Sequence, residues 1–344
     1  MALFLNEGYI NMKSDYIGVE IEIGVIPLIV AAIPLVYYVP TLFVMKEFLA
    51  LFFKIASNRK DETVNPHVMF IIVLHQLSTF CFMLADYVNI RLPATGILTS
   101  WCASQPPNQL IKMFFWAAVY FNYLSMIFPF LLAVLRLIPV FYPRRHFDMS
   151  ARIVRIVVPF IFFYGFAFTA FMIPARGICK QFPPPYKFGA VYFYFIDSWR
   201  NMKNFLFVLL NSTLWLLMSV VANVILYRRV RKVGSQGKSA RFQKAEFSLT
   251  LTTVSLLLSY FASTVFLVIF GFYTSVAHYF VMVRPFANDC DAVIVPWIFF
   301  LVHPAFKSKS RFLRNLIFPT ETSQVISVRN VVIIKNSPNV CFAR

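Results

Sequence analysis

Six long apolar stretches leave this chain few ways to fold: residues 24–44, 67–88, 113–134, 153–173, 205–227 and 247–273. One helix needs about 20 such residues to cross the hydrocarbon core of a bilayer, closing its backbone hydrogen bonds within itself. Polar, Pro-rich or basic stretches separate the six. A seventh stretch, 278–302, is long enough but carries Arg284, Asn288, Asp289 and Asp291. Composition agrees with a membrane solvent. Only 13% of the residues are charged, against about 25% in soluble domains. The 41 Phe and 16 Tyr suit lipid-facing helices and their interfacial belts.

The positive charges predict the direction of the bundle. With the N-terminus outside, three loops and the tail on the cytoplasmic side hold most of the 32 Lys and Arg. They include Lys46, Lys54, Arg59 and Lys60, then Arg136, Arg144, Arg145, Arg152 and Arg155, then a run from Arg228 to Lys244. The positive-inside rule then requires an odd number of spans. The expected fold is an all-α integral membrane bundle of seven transmembrane helices, N-terminus outside and C-terminus cytoplasmic. Its parts are an extracellular segment 1–23, a helical domain 24–303 and a cytoplasmic tail 304–344. Within the tail, 306–318 alternates basic and apolar residues as an amphipathic helix on the inner membrane face would. Residues 1–23 lack the basic, apolar and small-residue succession of a cleaved signal, so the first span is expected to act as the membrane signal.

The same charges exclude some functions. A net charge of +18 would suit nucleic acid, but here it lies between apolar runs, and no RNA-binding or zinc-finger signature accompanies it. The expected partner of this charge is the bilayer, with no nucleic acid. No HExxH, GxSxG or CxxC is present. Gly237-Lys238-Ser239 lacks the glycine that a phosphate loop needs five positions earlier, where Lys232 stands. The chain is expected to be no enzyme and to hold no cofactor or metal. The sequon Asn211-Ser212-Thr213 lies inside the fifth stretch, out of reach of glycosylation, and the terminal Cys341-Phe342-Ala343-Arg344 ends unlike a prenylation box.

Of the five cysteines, Cys102 and Cys179 both fall on the oxidising side in this topology, which allows a disulfide. It would pin the loop 174–204 over the third helix; two free thiols are the alternative. Arg136 stands among apolar residues at the inner end of the third helix. It can snorkel to the headgroups or pair with other helix ends and act as a switch when they part. Pro139 and Pro143 are expected to end that helix. In the seventh stretch, ionisable groups at membrane depth mark a functional interior unless paired or wet. Arg284, Asn288, Asp289 and Asp291 are therefore candidates for a ligand-pocket floor or an internal polar lock. The alternative is an outer loop with a helix beginning only near Ala292, but 292–302 alone is too short to span. Tyr120, Asn122, Tyr123 and Ser125 on the third helix, with Lys112 above, and His75, Gln76 and Asp86 on the second read mainly as packing groups that bond across the bundle.

Several of these residues carry a family resemblance. Leu98-Thr99-Ser100-Trp101-Cys102, Leu124-Ser125-Met126-Ile127-Phe128-Pro129 and Leu135-Arg136-Leu137-Ile138-Pro139 resemble the nematode serpentine receptor class gamma family. So do Arg284-Pro285-Phe286-Ala287-Asn288-Asp289 and Pro296-Trp297-Ile298-Phe299-Phe300-Leu301-Val302-His303-Pro304. The resemblance covers about residues 24–310. It implies a seven-helix chemosensory receptor of the G-protein-coupled type, in the plasma membrane or a sensory cilium, responding to a small-molecule ligand. It also implies that Arg136, with Pro139 and Pro143, acts near a heterotrimeric G protein, and that Cys102 and Cys179 form the outer disulfide. Leu135 precedes Arg136 where the common receptor motif has an acid, and the sixth stretch has neither Trp nor Pro. The rival reading is a ligand-gated channel or transporter, whose marks would be repeated halves or matched broken helices.

Overall fold

The computed structural model describes residues 9–17, 25–57, 65–182, 186–201, 204–233, 250, 253–255, 257, 261–269, 272, 274–302 and 306. Among them, six helices are long and apolar enough to cross a membrane. The described residues of the remaining stretch, 247–273, are also helical. Most of 1–23 and, except for Phe306, the tail with its expected helix at 306–318 lie outside the described residues.

Local chemistry sets where these helices begin. Asn65 caps the second helix, Pro66–Asp86, its side chain accepting the His67 N–H at 3.0 Å, and Pro66 occupies the first helical position. The same axis continues through a π-turn, Tyr87–Arg91, and a last short turn, Leu92–Ala94. Asn108 caps the third helix, Gln109–Phe141, by accepting the Ile111 N–H at 3.0 Å. The proline expectation needs correction here. The third helix runs through Pro139 and ends at Phe141, so Pro139 does not terminate it and only Pro143 lies beyond its end. Near a helix end Pro139 removes a single N–H bond, which packed neighbours in a bundle tolerate.

The third helix is the axis of the bundle, packing against the second, the fourth (His146–Thr169) and the fifth (Asn204–Val233). Its buried Leu124, Phe128 and Leu135 join Met69 and Ile71 of the second helix and Phe299 and Phe300 of the last, Thr274–Val302. The first helix, Val25–Ser57, closes against the second and last. Outward faces carry bare apolar side chains such as Val36, Phe163 and Leu210, as lipid requires.

Among the described residues, one element departs from an all-α chain. The loop after the fourth helix holds an antiparallel hairpin, β1 (Arg176–Gln181) and β2 (Val191–Ile196), with Cys179 opposite Phe193. Alternate residues Val191, Phe193 and Phe195 are buried, the period of a strand with one face on a core. The hairpin lies across the start of the third helix, and Gly177 and Asn108 exchange backbone bonds of 2.8 and 3.1 Å. No side chain fits there: a Cβ on Gly177 would stand 2.1 Å from the Lys112 backbone nitrogen.

Candidate functional site

At the hairpin end the cap is fastened from three directions. Cys102 and Cys179 form a disulfide that closes 77 residues of separation. The buried Asn11 donates to the Cys102 and Gln105 carbonyls at 3.3 and 2.9 Å and accepts the Cys179 N–H at 2.8 Å. The Ile10 N–H reaches the Cys179 carbonyl at 3.0 Å, and Tyr9 forms an isolated bridge with Lys180, so residues 9–11 lie beside β1. Asn11 was not singled out in the sequence, where it sits in a polar segment with no periodicity.

The last helix is continuous through Pro285 and Pro296, which places all four polar candidates on it and removes the reading in which a helix begins near Ala292. They divide between two faces. Pro285 and Asp289, four apart, turn to the second helix. There Arg91 makes two parallel bonds of 2.7 Å to the Asp289 carboxylate and a third of 2.8 Å to the Pro285 carbonyl. Arg91 is 1% exposed and Asp289 3%. The Tyr37 hydroxyl of the first helix donates to the same carboxylate. Trp297 donates to the Thr41 hydroxyl at 3.3 Å, which in turn donates to the Tyr37 carbonyl at 2.7 Å. Three helices therefore meet on one desolvated charge pair. Such a bidentate guanidinium–carboxylate fork satisfies both charges where water does not reach. The sequence reading missed Arg91; the available signal was a lone cation ending an apolar run, matched in sign by Asp289.

Arg284, Asn288 and Asp291 form the other stripe, spaced four and three apart, and face a cavity with Thr79, Asn122 and Ser125. It encloses about 40 Å³, room for about three water molecules. The Ser263 hydroxyl donates to Asn288 Oδ1 at 3.3 Å. Asn288 Nδ2 and Asp291 Oδ1 have no hydrogen-bond partner among the described residues. His75 Nε2 approaches Asp291 Oδ1 at 3.6 Å, beyond hydrogen-bond reach. The third-helix groups bond around this layer: Ser125 donates to the Asn122 carbonyl at 2.9 Å and Tyr123 to Asn204 at 3.4 Å. Nearer the hairpin, Lys112 donates to the Ile173 carbonyl at 2.8 Å.

Arg136 lies at the opposite end of the third helix and is 5% exposed. It does not run out to the surface. Its guanidinium donates to the Thr253 and Thr250 hydroxyls of the sixth stretch at 2.9 and 3.0 Å. The same groups border a cleft of about 730 Å³ shared with Asn223, Tyr227 and Arg228 of the fifth helix. Pro143 follows the helix end, and its carbonyl meets His146 Nδ1 at 2.8 Å. Among the described residues no group of His, Cys, Asp and Glu is arranged to hold a metal.

This architecture of apolar helices, a fastened cap and buried polar junctions has relatives. The family described as serpentine type seven-transmembrane GPCR chemoreceptor Sru matches residues 10–309. Serpentine receptor class U-26 of Caenorhabditis elegans is 31% identical over 281 residues, spanning 80% of this chain and 96% of that protein. Among solved structures, squid rhodopsin aligns over 89% of this chain and 81% of its own, at 15% identity and a TM-score of 0.49. The protein is a multi-pass membrane receptor of the seven-transmembrane, G-protein-coupled type, and its class is chemosensory. It belongs to the serpentine receptor class U family. The expected serpentine chemoreceptor character therefore stands, but both matches name class U, not the gamma class that the motifs resemble. The family is one of receptors, and the channel or transporter reading is not favoured.

Proposed function

We propose that this receptor binds a small molecule within the helical bundle and relays binding to a heterotrimeric G protein at the Arg136 end. The observation that carries the reading is the pair of bonds from buried Arg136 to Thr250 and Thr253. They tie the third helix to the sixth stretch beside a large cleft. A contact of this kind is a two-state element: parting the helices exposes a cation to a partner, and a ligand that favours the parted state shifts the population. Pro143, just beyond the end of the third helix, sets how the chain leaves it, towards Arg144 and Arg145, on the surface offered to that partner.

In this reading the hairpin end is extracellular. The disulfide of Cys102 and Cys179 suits an oxidising compartment, and the basic loops suit the cytoplasm. Residues 1–23 then lie outside, 24–303 form the receptor domain, and 304–344 lie in the cytoplasm. The plasma membrane, including that of sensory cilia, is the site of action. Arg284, Asn288 and Asp291 floor the ligand pocket, while Asp289 belongs to the polar lock.

The test is an Arg136→Ala variant in cells that report second messengers. It is expected to reach the surface in amounts close to the unaltered receptor and to lose ligand-evoked signalling. Normal signalling from that variant would remove Arg136 from the relay. Ligand-evoked current in cells stripped of G proteins would reverse the class of transduction.

A further inference from the structure

We infer that the cavity bounded by Arg284, Asn288 and Asp291 takes a small zwitterion, its ammonium at Asp291 and its acid group at Arg284. The inference rests on the reading that a ligand binds within the bundle, and it adds the ligand's chemical class.

The argument begins with charge. The last helix brings Arg284, Asp289 and Asp291 to membrane depth; Asp289 is held by a close fork from Arg91, whereas Asp291 has only the buried His75 imidazole nearby, 3.6 Å away and beyond hydrogen-bond reach. Arg284 and Asp291 are seven residues apart, two helical turns, on the stripe that lines the cavity. Arg284 makes no ion pair among the described residues. Asp291 Oδ1 has no hydrogen-bond partner among them. An ion at this depth costs several kcal/mol unless it is paired or wet, and both side chains line this cavity. Its contents must therefore answer a positive group on one side and a negative group on the other.

Between the two stands Asn288, 8% exposed, with Nδ2 lacking a hydrogen-bond partner among the described residues. Ser263 already engages its carbonyl oxygen, which leaves the amide hydrogens of a cavity-lining residue to be answered by an acceptor on the occupant. A buried donor left unsatisfied costs about 1–3 kcal/mol. A carboxylate or similar acid group spanning Arg284 and Asn288 removes that penalty. Thr79, Asn122 and Ser125 complete the wall with groups that both donate and accept. A hydrocarbon would displace water from both ions and replace none of its bonds, and a neutral ketone would answer the donors but leave the Asp291 carboxylate without one. The narrow cavity favours a short molecule over a bulky one.

The experiment uses the full chain, purified and held in phosphatidylcholine nanodiscs, with thermal unfolding as the readout. The probes are glycine, β-alanine and γ-aminobutyrate, each against its amine-only and acid-only analogues, with 2-heptanone as the neutral compound. We expect at least one zwitterion to raise Tm in a saturable way, and each singly charged analogue to bind at least tenfold more weakly. Asp291→Asn and Arg284→Gln should each weaken the zwitterion at least tenfold, while Val221→Ala, on the outward face, should not. The analogue series uses unaltered protein, so it decides the matter even where a variant misfolds. Absence of binding by all three zwitterions, equal binding by their single-charge analogues, or stabilisation by 2-heptanone alone would overturn the inference. A zwitterion that binds but evokes no second messenger leaves the inference standing and sinks the G-protein reading. A signalling response confined to the neutral compound does the reverse.

Discussion

Arg91 and Asp289, 198 residues apart in the chain, meet through two bonds of 2.7 Å inside the bundle. Removing one partner strands the other charge, which costs about 3–5 kcal/mol, whereas replacing both with apolar residues is often close to neutral. Arg91→Met and Asp289→Leu should each lower the thermal stability of the solubilised receptor markedly, and the double variant should recover most of the loss. A double-mutant cycle on Tm checks this. Additive losses would show that the two charges do not support one another.

Gly177 offers a more local test. A methyl group there would meet Lys112 and Ile111 backbone atoms at 2.1 to 2.8 Å, and backbone cannot swing away as a side chain can. Gly177→Ala should push the hairpin off the third helix at a cost of about 1–3 kcal/mol. Hydrogen exchange in β1 and β2 should rise while the helices keep their protection. Unchanged exchange in the hairpin would mean that it does not sit on Asn108 and Lys112 in the membrane.

Thr253→Val removes one of the hydroxyls that hold Arg136 to the sixth stretch. A hydrogen bond to a charged group contributes about 1.5–3 kcal/mol. If the contact belongs to the resting state, basal second-messenger output should rise by about tenfold for each 1.4 kcal/mol lost. Basal output that stays at the unaltered level, with normal surface expression, would show that the contact does not restrain signalling.

Tyr194 of β2 gives the hairpin a pH signature. Burial pushes its phenol above the ordinary value of 10.0, so the folded state favours the neutral ring. That contribution is fully present below pH 10 and is lost as the pH rises through the folded value. Tyrosinate absorbance, taken as the difference between the unaltered receptor and Tyr194→Phe, should show this ring ionising above pH 10 when folded and near 10 when unfolded.

Much of this fold is legible in the sequence because the bilayer imposes a length and a polarity on each span. The six stretches needed only that rule. The seventh, studded with Arg284 and Asp291, needed the distribution of loop charges as well. What escaped is what depends on distance in three dimensions. Nothing near Arg91 in the chain announces Asp289, since the pair forms only when the second and last helices pack. The strand period of Val191, Phe193 and Phe195 was present, but an aromatic-rich run in a membrane protein also suits an interfacial belt. Asn11 carries no signal at all: its role comes from backbone groups of Cys102, Gln105 and Cys179. The tie of Arg136 to Thr250 and Thr253 was equally hidden, because the expected acidic neighbour is a leucine and the replacement hydroxyls lie on another helix.

The cap also has a birth order. Its three strips, residues 9–12, the turn around Cys102 and the hairpin up to Ile196, leave the ribosome far apart in time. Until the fourth span has been threaded and the hairpin has followed it, Cys102 waits as a free thiol and the Asn11 side-chain oxygen lacks the Cys179 N–H that it accepts. Maturation of this receptor therefore has a window in which the bundle is half built and its lid is open, and an oxidoreductase or a quality-control factor has that interval in which to act.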